Sequence, residues 1–167
     1  TVSTRFSPQL NEMVFSSVFL DEAAQCMEAA VWTLLRREVT LLVLAGDVHQ
    51  LPAMCSDTGK TLRHHRSLME RLMTNGYDNT VHLTMQNRMA PEIMSISNEL
   101  VYENRLTCGP YAPTHGIVEV VCVAHGREEA DGTSYRNANE VDAALSISDL
   151  PPDAVFLCPY TSQCRLF

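Results

Sequence analysis

Residues 39–45 form an unbroken apolar run, VTLLVLA, which is followed within two residues by Asp47. Such a run is typical of a strand that is buried on both faces of a parallel sheet. A second apolar run, at residues 15–20, is followed directly by Asp21. Ligands of open parallel sheets bind just beyond the carboxyl ends of the strands, so we expect the two acidic turns to gather at one edge.

The rest of the sequence alternates between strand-like and helix-like segments. The other predicted strands are residues 80–84, 117–123 and 154–158, and the predicted helices are residues 23–37, 67–74, 91–102 and 137–148. This alternation predicts an α/β fold with a mostly parallel sheet.

Asp21 and Glu22 are adjacent acids that follow the first predicted strand. In magnesium-nucleotide hydrolysis, one carboxylate can hold the hydrated Mg²⁺ and its neighbour can polarise the attacking water. The alternative is that the pair caps the helix that follows, because acids are stabilised at helix N-termini. Taken alone, the pair fits capping more often than catalysis.

Composition limits the function classes. The chain has 167 residues, 46% of them hydrophobic, which is enough for one domain or for parts of two. Its net charge of -8 does not favour contacts with phosphates. The six cysteines include no C-x-x-C pair, so we expect no zinc site and reduced thiols in an intracellular, cytoplasmic or nuclear, protein. No apolar run approaches the roughly 20 residues that span a bilayer, and no signal peptide is visible, so no membrane partner is expected.

Seven elements, in order, resemble motifs of superfamily 1 helicases of the branch that contains the nonsense-mediated-decay helicase. They are residues 21–25 (DEAAQ), 44–52 (LAGDVHQLP), 67–72 (SLMERL), 83–93 (LTMQNRMAPEI), 98–106 (NELVYENRL), 132–140 (GTSYRNANE) and 159–163 (PYTSQ). Any one element is a weak signal, but chance does not explain seven in the family's order. The resemblance implies RecA-like, P-loop NTPase sheets in two partial domains: residues 1–85 are the later half of the first, and residues 86–167 begin the second.

The resemblance also implies ATP and Mg²⁺ as cofactors and a role for each site residue. Asp21 would coordinate Mg²⁺, Glu22 would be the catalytic carboxylate, and Gln50 would sense the γ-phosphate. Arg88 would be the arginine finger, whose planar guanidinium matches a phosphoryl group; the alternative is a surface ion pair with Glu92. The residues implied near the nucleotide are Gln25, Asp47 and Gln86, and those implied along the nucleic-acid strand are Tyr160 and Gln163. Tyr160 fits an anchored core aromatic equally well.

The chain departs from the family pattern at Asn87, where the family has a Tyr that packs near the adenine. The Gly59-Lys60-Thr61 segment imitates the end of a phosphate-binding loop, but Met54 occupies the position that requires Gly, so we interpret it as a loop. We expect the true phosphate-binding loop upstream of residue 1 and the last arginine motif downstream of residue 167. The chain is therefore expected to be an internal piece without ATPase activity of its own.

The expected function is that of an ATP-dependent motor that moves along single-stranded RNA or DNA. Two alternatives stay open. One is a non-catalytic scaffold or interaction module that kept the fold, which Asn87 favours. The other is a phosphate-binding ATPase that is not a helicase.

Overall fold

The computed structural model describes residues 13–35, 38–148 and 150–167. The chain folds as two compact units. The first contains the described residues up to Arg88 together with Ser95–Ala112, and the second contains Met89–Met94 and Pro113–Phe167. The predicted boundary between residues 85 and 86 concerns complete domains and stays a prediction.

The two apolar runs form the parallel strands β1 (Ser17–Leu20) and β2 (Leu41–Leu44) of the first unit. Both predicted strands are thus confirmed, with shorter bounds. The expectation that the second is buried on both faces is wrong, because its residues are exposed or half-buried, with Leu41 at 47%. The predicted single helix over residues 23–37 is wrong. A 3-10 turn at Ala23–Gln25 is followed by an extended Met27 and only then by helix α1 (Glu28–Trp32). Met27 forms an antiparallel bridge with Ser67, which requires extended backbone there and interrupts the helix. Residues 36 and 37 lie outside the described residues.

Two further helices, α2 (Asp57–Thr61) and α3 (Leu68–Thr74), complete this part of the unit. Helix α3 was predicted, whereas the segment that forms α2 was predicted as a loop. Helix α2 forms because Ser56 caps it, its hydroxyl accepting a hydrogen bond from the Gly59 amide at 3.2 Å. The buried residues around these elements include Ala23, Ala24, Val31, Ala53, Ser67 and Leu68.

The short parallel strands β3 (Met85–Gln86) and β4 (Thr107–Cys108) flank helix α4 (Pro91–Leu100). Helix α4 begins at the predicted proline and ends two residues before the predicted end. The predicted strand at residues 80–84 is wrong, because β4 pairs with residues 85–86 instead. The alternating side chains of that segment are left exposed, with Val81 at 84% and Leu83 at 87%.

In the second unit, β5 (Glu129–Asp131) and β6 (Ser134–Arg136) form an antiparallel hairpin that the sequence did not predict. It is followed by helices α5 (Ala138–Leu145) and α6 (Thr161–Cys164). Helix α5 was predicted, but the strands predicted at residues 117–123 and 154–158 are wrong. A strand needs a neighbour for its main-chain groups, and within the described residues neither segment has one.

Small parallel sheets with helices between their strands are compatible with P-loop helicase domains. In the ranges that the structure describes, every helix is too short or too polar to cross a membrane.

We predict that Ser67→Ala lowers the stability of the protein by about 1 kcal/mol. Ser67 is 1% exposed and its hydroxyl accepts a hydrogen bond from the Glu70 amide at 3.0 Å, so alanine leaves the amide of the half-buried Glu70 without this acceptor. Ser56→Ala is the matched control, since Ser56 caps the short helix α2 on the surface. The apparent melting temperature should fall clearly more for Ser67→Ala than for Ser56→Ala. Equal shifts would contradict a special role for the buried cap.

Candidate functional site

The turns that follow β1 and β2 lie side by side. The strands pair in register through Leu20 and Leu44, so the chain leaves the sheet at the same edge twice. The Ala45 amide donates to the Leu20 carbonyl at 2.9 Å, and the Ala23 amide donates to the Ala45 carbonyl at 2.8 Å. The pairing therefore continues past the strands and joins the turn that carries Asp21 to the turn that carries Asp47.

Gly46 permits this close approach. A Cβ atom at this position would lie 2.9 Å from the backbone nitrogen of Ala23 and 3.0 Å from that of Ala24. Real Cβ atoms almost never come so close to backbone atoms, so a side chain here would push the two turns apart. The glycine of the element at residues 44–52 is therefore required by the close packing of the two turns.

Glu22 adopts a left-handed backbone conformation, with φ 51° and ψ 40°. This conformation is higher in energy for residues other than glycine, and such strain concentrates at functional sites. The Glu22 amide donates to Oδ1 of Asp21 at 3.0 Å, and Nε2 of Gln25 donates to Oε2 of Glu22 at 3.2 Å. At this turn the Glu22 side chain makes no capping hydrogen bond to the 3-10 helix that follows, which argues against the capping alternative.

The carboxylates at this edge fit a magnesium ion only if the nucleotide and water supply its other ligands. The described residues contain no group of three or more His, Cys, Asp or Glu side chains that could enclose a metal. Mg²⁺, however, is usually held by one or two carboxylates, with water and substrate phosphates supplying the other oxygens. The exposed carboxylate of Asp21 suits that arrangement.

Asp47 accepts hydrogen bonds at both carboxylate oxygens. Its Oδ1 accepts from the His49 amide at 2.9 Å, whereas Oδ2 accepts from Nε2 of Gln50 at 3.2 Å and from the Tyr102 hydroxyl at 2.6 Å. The His49 and Tyr102 rings also meet edge to face, with centroids 5.8 Å apart. Asp47 therefore stabilises the turn after β2 by accepting hydrogen bonds from His49 and Gln50 in the same turn.

The electrostatics of this cluster keep Asp47 ionised and Tyr102 protonated. Burial acts to raise the pKa of Asp47, but the hydrogen bonds from Tyr102, His49 and Gln50 together outweigh it and hold that pKa below its usual range. The hydrogen bond to Asp47, assisted by burial, raises the pKa of Tyr102. The phenol consequently donates and the carboxylate accepts.

The Gln86 side chain shapes the segment that contains Arg88. The Gln86 side chain accepts a hydrogen bond from the Arg88 amide at 2.8 Å through Oε1 and donates to Sγ of Cys108 at 3.0 Å through Nε2. Gln86 is half-buried, whereas the Arg88 side chain is exposed. Gln86 thus fixes the backbone from which the guanidinium extends.

Asn87 turns towards the loop that follows β4. Its Oδ1 accepts a hydrogen bond from the Tyr111 amide at 3.1 Å, and a Cβ atom at Gly109 would lie only 2.3 Å from that same oxygen. The short side chain at position 87 therefore has a structural partner, and Gly109 leaves room for it.

The second unit contains the two residues expected along a nucleic-acid strand, and the structure gives them different surroundings. Tyr160 is 41% exposed and packs edge to face against Tyr135, with ring centroids 5.3 Å apart. Gln163 is 8% exposed, and its side-chain amide forms two hydrogen bonds with the main chain of Asn137. The Asn137 amide donates to Oε1 at 2.6 Å, and Nε2 donates to the Asn137 carbonyl at 3.2 Å. A role at Gln163 in binding nucleic acid stays a prediction.

The sequence interpretation assigned no role to Tyr102 or to Asn98. Both lie in the segment NELVYENRL, which was recognised as an element but offers no obvious chemistry. Asn98 is 7% exposed and clasps the main chain of Leu106, accepting from its amide at 2.8 Å and donating to its carbonyl at 3.1 Å. Their partners are remote or main-chain groups, so the local pattern could not reveal them.

Comparison with known proteins identifies the family of this chain. Residues 1–58 and 64–166 match two family models that are both described as an AAA domain. The chain is 35% identical, over 60% of its length, to the DNA replication ATP-dependent helicase/nuclease DNA2 of Saccharomyces cerevisiae. It is 34% identical to the helicase sen1 of Schizosaccharomyces pombe over 57% of its length, and 36% identical to the DNA-binding protein SMUBP-2 of Mesocricetus auratus over 71%. The chain belongs to the superfamily 1 helicase family.

The chain spans only a small share of these relatives. It covers 7% of DNA2, 6% of sen1 and 12% of SMUBP-2. Both strand-end turns and the segment around Arg88 nevertheless fall inside the matched AAA-domain regions.

We predict that Gly109→Ala destabilises the protein in a way that depends on Asn87. The added methyl group would lie 2.3 Å from Oδ1 of Asn87 and 3.0 Å from Cγ of Met85, so we expect the hydrogen bond from the Tyr111 amide to Asn87 to break. Overpacking of this kind costs about 1 to 3 kcal/mol.

Asn87→Ala removes the nearest of those atoms and serves as the control background. In that background Gly109→Ala should lower the apparent melting temperature much less than it does in the wild-type protein. Identical shifts in the two backgrounds would mean that Asn87 and Gly109 do not meet.

Proposed function

We propose that the protein containing this chain hydrolyses ATP with Mg²⁺ and uses the cycle to move along single-stranded RNA or DNA. The observation that carries the proposal is the conformation of Glu22. Its positive φ places the Glu22 carboxylate at the strand edge, directly beside Asp21 and next to the turn of Asp47. This carboxylate does not cap the 3-10 helix that follows. Strained backbone conformations cluster at active sites, and this one presents two adjacent acids at the strand edge.

Each residue at this edge has a definite task in the proposed reaction. Glu22 accepts a proton from the attacking water and orients it, because a carboxylate within hydrogen-bonding reach can act as a general base. Asp21 would hold Mg²⁺, which when bound would neutralise charge on the phosphate oxygens. Gln50 contacts the γ-phosphate through its amide, and Gln25 steadies the Glu22 carboxylate through the hydrogen bond between them.

Arg88 supplies positive charge to the transferring phosphoryl group. The exposed guanidinium extends from a backbone position that Gln86 fixes, so the side chain can reach outward while its base stays in place. A planar fork of donors matches phosphoryl oxygens better than a point charge does. In this proposal Arg88 belongs to the second of two RecA-like domains, which begins near residue 86, and nucleotide closes the cleft between them.

The single strand would pass Tyr160, whose ring is 41% exposed and braced by Tyr135. Bases of any sequence can stack on an aromatic ring, which suits a motor that moves along the strand. The names of the relatives, which include an ATP-dependent helicase/nuclease and a DNA-binding protein, support this part of the proposal.

One observation favours a second candidate, a scaffold that kept the fold and lost the motor. Asn87 replaces the family's aromatic residue, and its side chain is bonded to the Tyr111 amide. ATP turnover by the full-length protein separates the two candidates, because a scaffold would show none above the background set by Glu22→Gln.

We predict that Glu22→Gln in the full-length protein slows ATP hydrolysis by roughly 10²- to 10⁴-fold, as expected when a general base is removed. Nucleotide affinity should change little, since Asp21 still holds the metal. Glu99→Gln is the matched control, because Glu99 is an exposed acid on α4. The test is steady-state turnover alongside ATP affinity. Turnover by Glu22→Gln at the rate of Glu99→Gln would reject the catalytic assignment.

We also predict that Arg88→Ala slows single-turnover hydrolysis by on the order of 10³-fold or more, as arginine fingers do in other enzymes of phosphoryl transfer. ADP affinity should change little, because ADP lacks the γ-phosphate. Arg88→Lys should restore little of the rate, since an ammonium lacks the planar fork.

Arg127→Ala is the control for Arg88, because Arg127 is an exposed arginine outside the proposed site. If Arg88→Ala hydrolyses ATP as fast as this control, the finger assignment fails. Arg88 would then be an exposed surface arginine. The Glu92 carboxylate, its expected alternative partner, contacts the His115 ring and the Gly116 amide in the structure.

A further inference from the structure

Asp47 lies in the turn after β2. Among the hydrogen bonds described for its carboxylate, the one from Tyr102 comes from a distant part of the sequence. The Tyr102 hydroxyl reaches Oδ2 of Asp47 at 2.6 Å, across 55 residues of sequence. The same Oδ2 accepts from Nε2 of Gln50 at 3.2 Å. Tyr102 and Gln50 therefore donate to the same carboxylate oxygen, which holds the two side chains close to each other.

The base of Tyr102 is itself fixed. The buried Asn98 clasps the main chain of Leu106 through both its amide atoms, which closes the turn that follows α4. Within that turn Glu103 and Asn104 both have positive φ, at 54° and 59°, and the Arg105 amide donates to the Tyr102 carbonyl at 3.0 Å. A turn constrained in this way gives the phenol ring a defined position.

The ring has a second contact that restricts its rotation. The His49 ring meets it edge to face at 5.8 Å between centroids, and the His49 amide donates to Oδ1 of Asp47 at 2.9 Å. Asp47 thus accepts a hydrogen bond from its own turn at Oδ1 and one from Tyr102 at Oδ2. With both oxygens engaged, its carboxylate plane is set by Tyr102 as much as by the local backbone.

We propose that Tyr102 is a positioning residue that acts through Asp47 to fix the direction in which Gln50 presents its side-chain amide. The inference rests on the proposed function, in which Gln50 contacts the γ-phosphate. Through this contact, the turn after α4 sets the direction of the Gln50 amide in the turn after β2. Asp47 then serves the nucleotide by orienting Gln50 and does not need to touch it.

The test is Tyr102→Phe in the full-length protein, which removes one hydroxyl and keeps the ring against His49. Loss of a supporting hydrogen bond of this kind should lower kcat for ATP about ten-fold. KM for ATP should change little, because the interaction aids the reaction more than the binding of the substrate. Tyr77→Phe is the matched control, since Tyr77 is a 51% exposed tyrosine that follows α3.

A double-mutant cycle with Gln50→Ala identifies the route of the effect. If Tyr102 acts through Gln50, then Tyr102→Phe should lower kcat no further in the Gln50→Ala background. Additive losses would overturn the proposal, because they would mean that Tyr102 acts independently of Gln50. An unchanged kcat in Tyr102→Phe would overturn it as well.

Hydrogen–deuterium exchange of the peptide covering residues 44–52 gives a readout that does not depend on turnover. Its amides should exchange about ten-fold faster in Tyr102→Phe, as loss of one hydrogen bond to a charged group implies, and at the wild-type rate in Tyr77→Phe. An unchanged exchange rate overturns the positioning role whatever the turnover. A wild-type protein without ATP turnover overturns the proposed function instead, and the exchange rate still decides whether Tyr102 holds the turn.

Discussion

The hydrogen bond from the Ala23 amide to the Ala45 carbonyl, 2.8 Å long, is the contact on which the acidic edge of the first unit depends. It extends the pairing of β1 and β2 beyond the last strand residues, and so it converts two separate turns into one surface. The bond is possible because Gly46 has no side chain to separate the backbones. The positions of Asp21, Glu22 and Asp47 relative to one another follow from this approach, whatever chemistry they perform. Within the described residues, the pairing of β1 with β2 therefore suffices to bring these residues to one edge.

The parts of the fold that could be predicted are those in which a local pattern and its partner agree. Strands β1 and β2 were predictable because apolar runs that end at acidic turns are typical of parallel strands, and α3 and α5 were predictable because Ser67 and Asn137 are residue types that cap helices. The run at residues 117–123 has an equally clear strand pattern, yet no neighbour is present in the described residues to receive its main-chain hydrogen bonds. Helix propensity failed at Met27 for the opposite reason, since a bridge to Ser67 overrode it.

The same reasoning separates what the sequence revealed about the candidate site from what it did not. The acids after β1 and β2 were predictable, because residues at strand ends share an edge through topology alone. Tyr102 was not, because its contact with Asp47 depends on how a turn 55 residues away is folded. Asn87 illustrates a third case, in which a departure from the family pattern was visible but its reason was not. The structure supplies that reason in the Tyr111 amide and the space beside Gly109.

The pairing of Gln163 with the main chain of Asn137 has a consequence for how this family can change in length. The two residues are 26 positions apart, and two hydrogen bonds fasten the start of α5 to α6 as one closed loop. The entropy lost on closing a flexible loop grows only with the logarithm of its length, so doubling the loop costs about 0.6 kcal/mol more. Insertions between residues 146 and 159 should therefore accumulate among homologues without displacing either helix, provided that a glutamine remains at the position of Gln163.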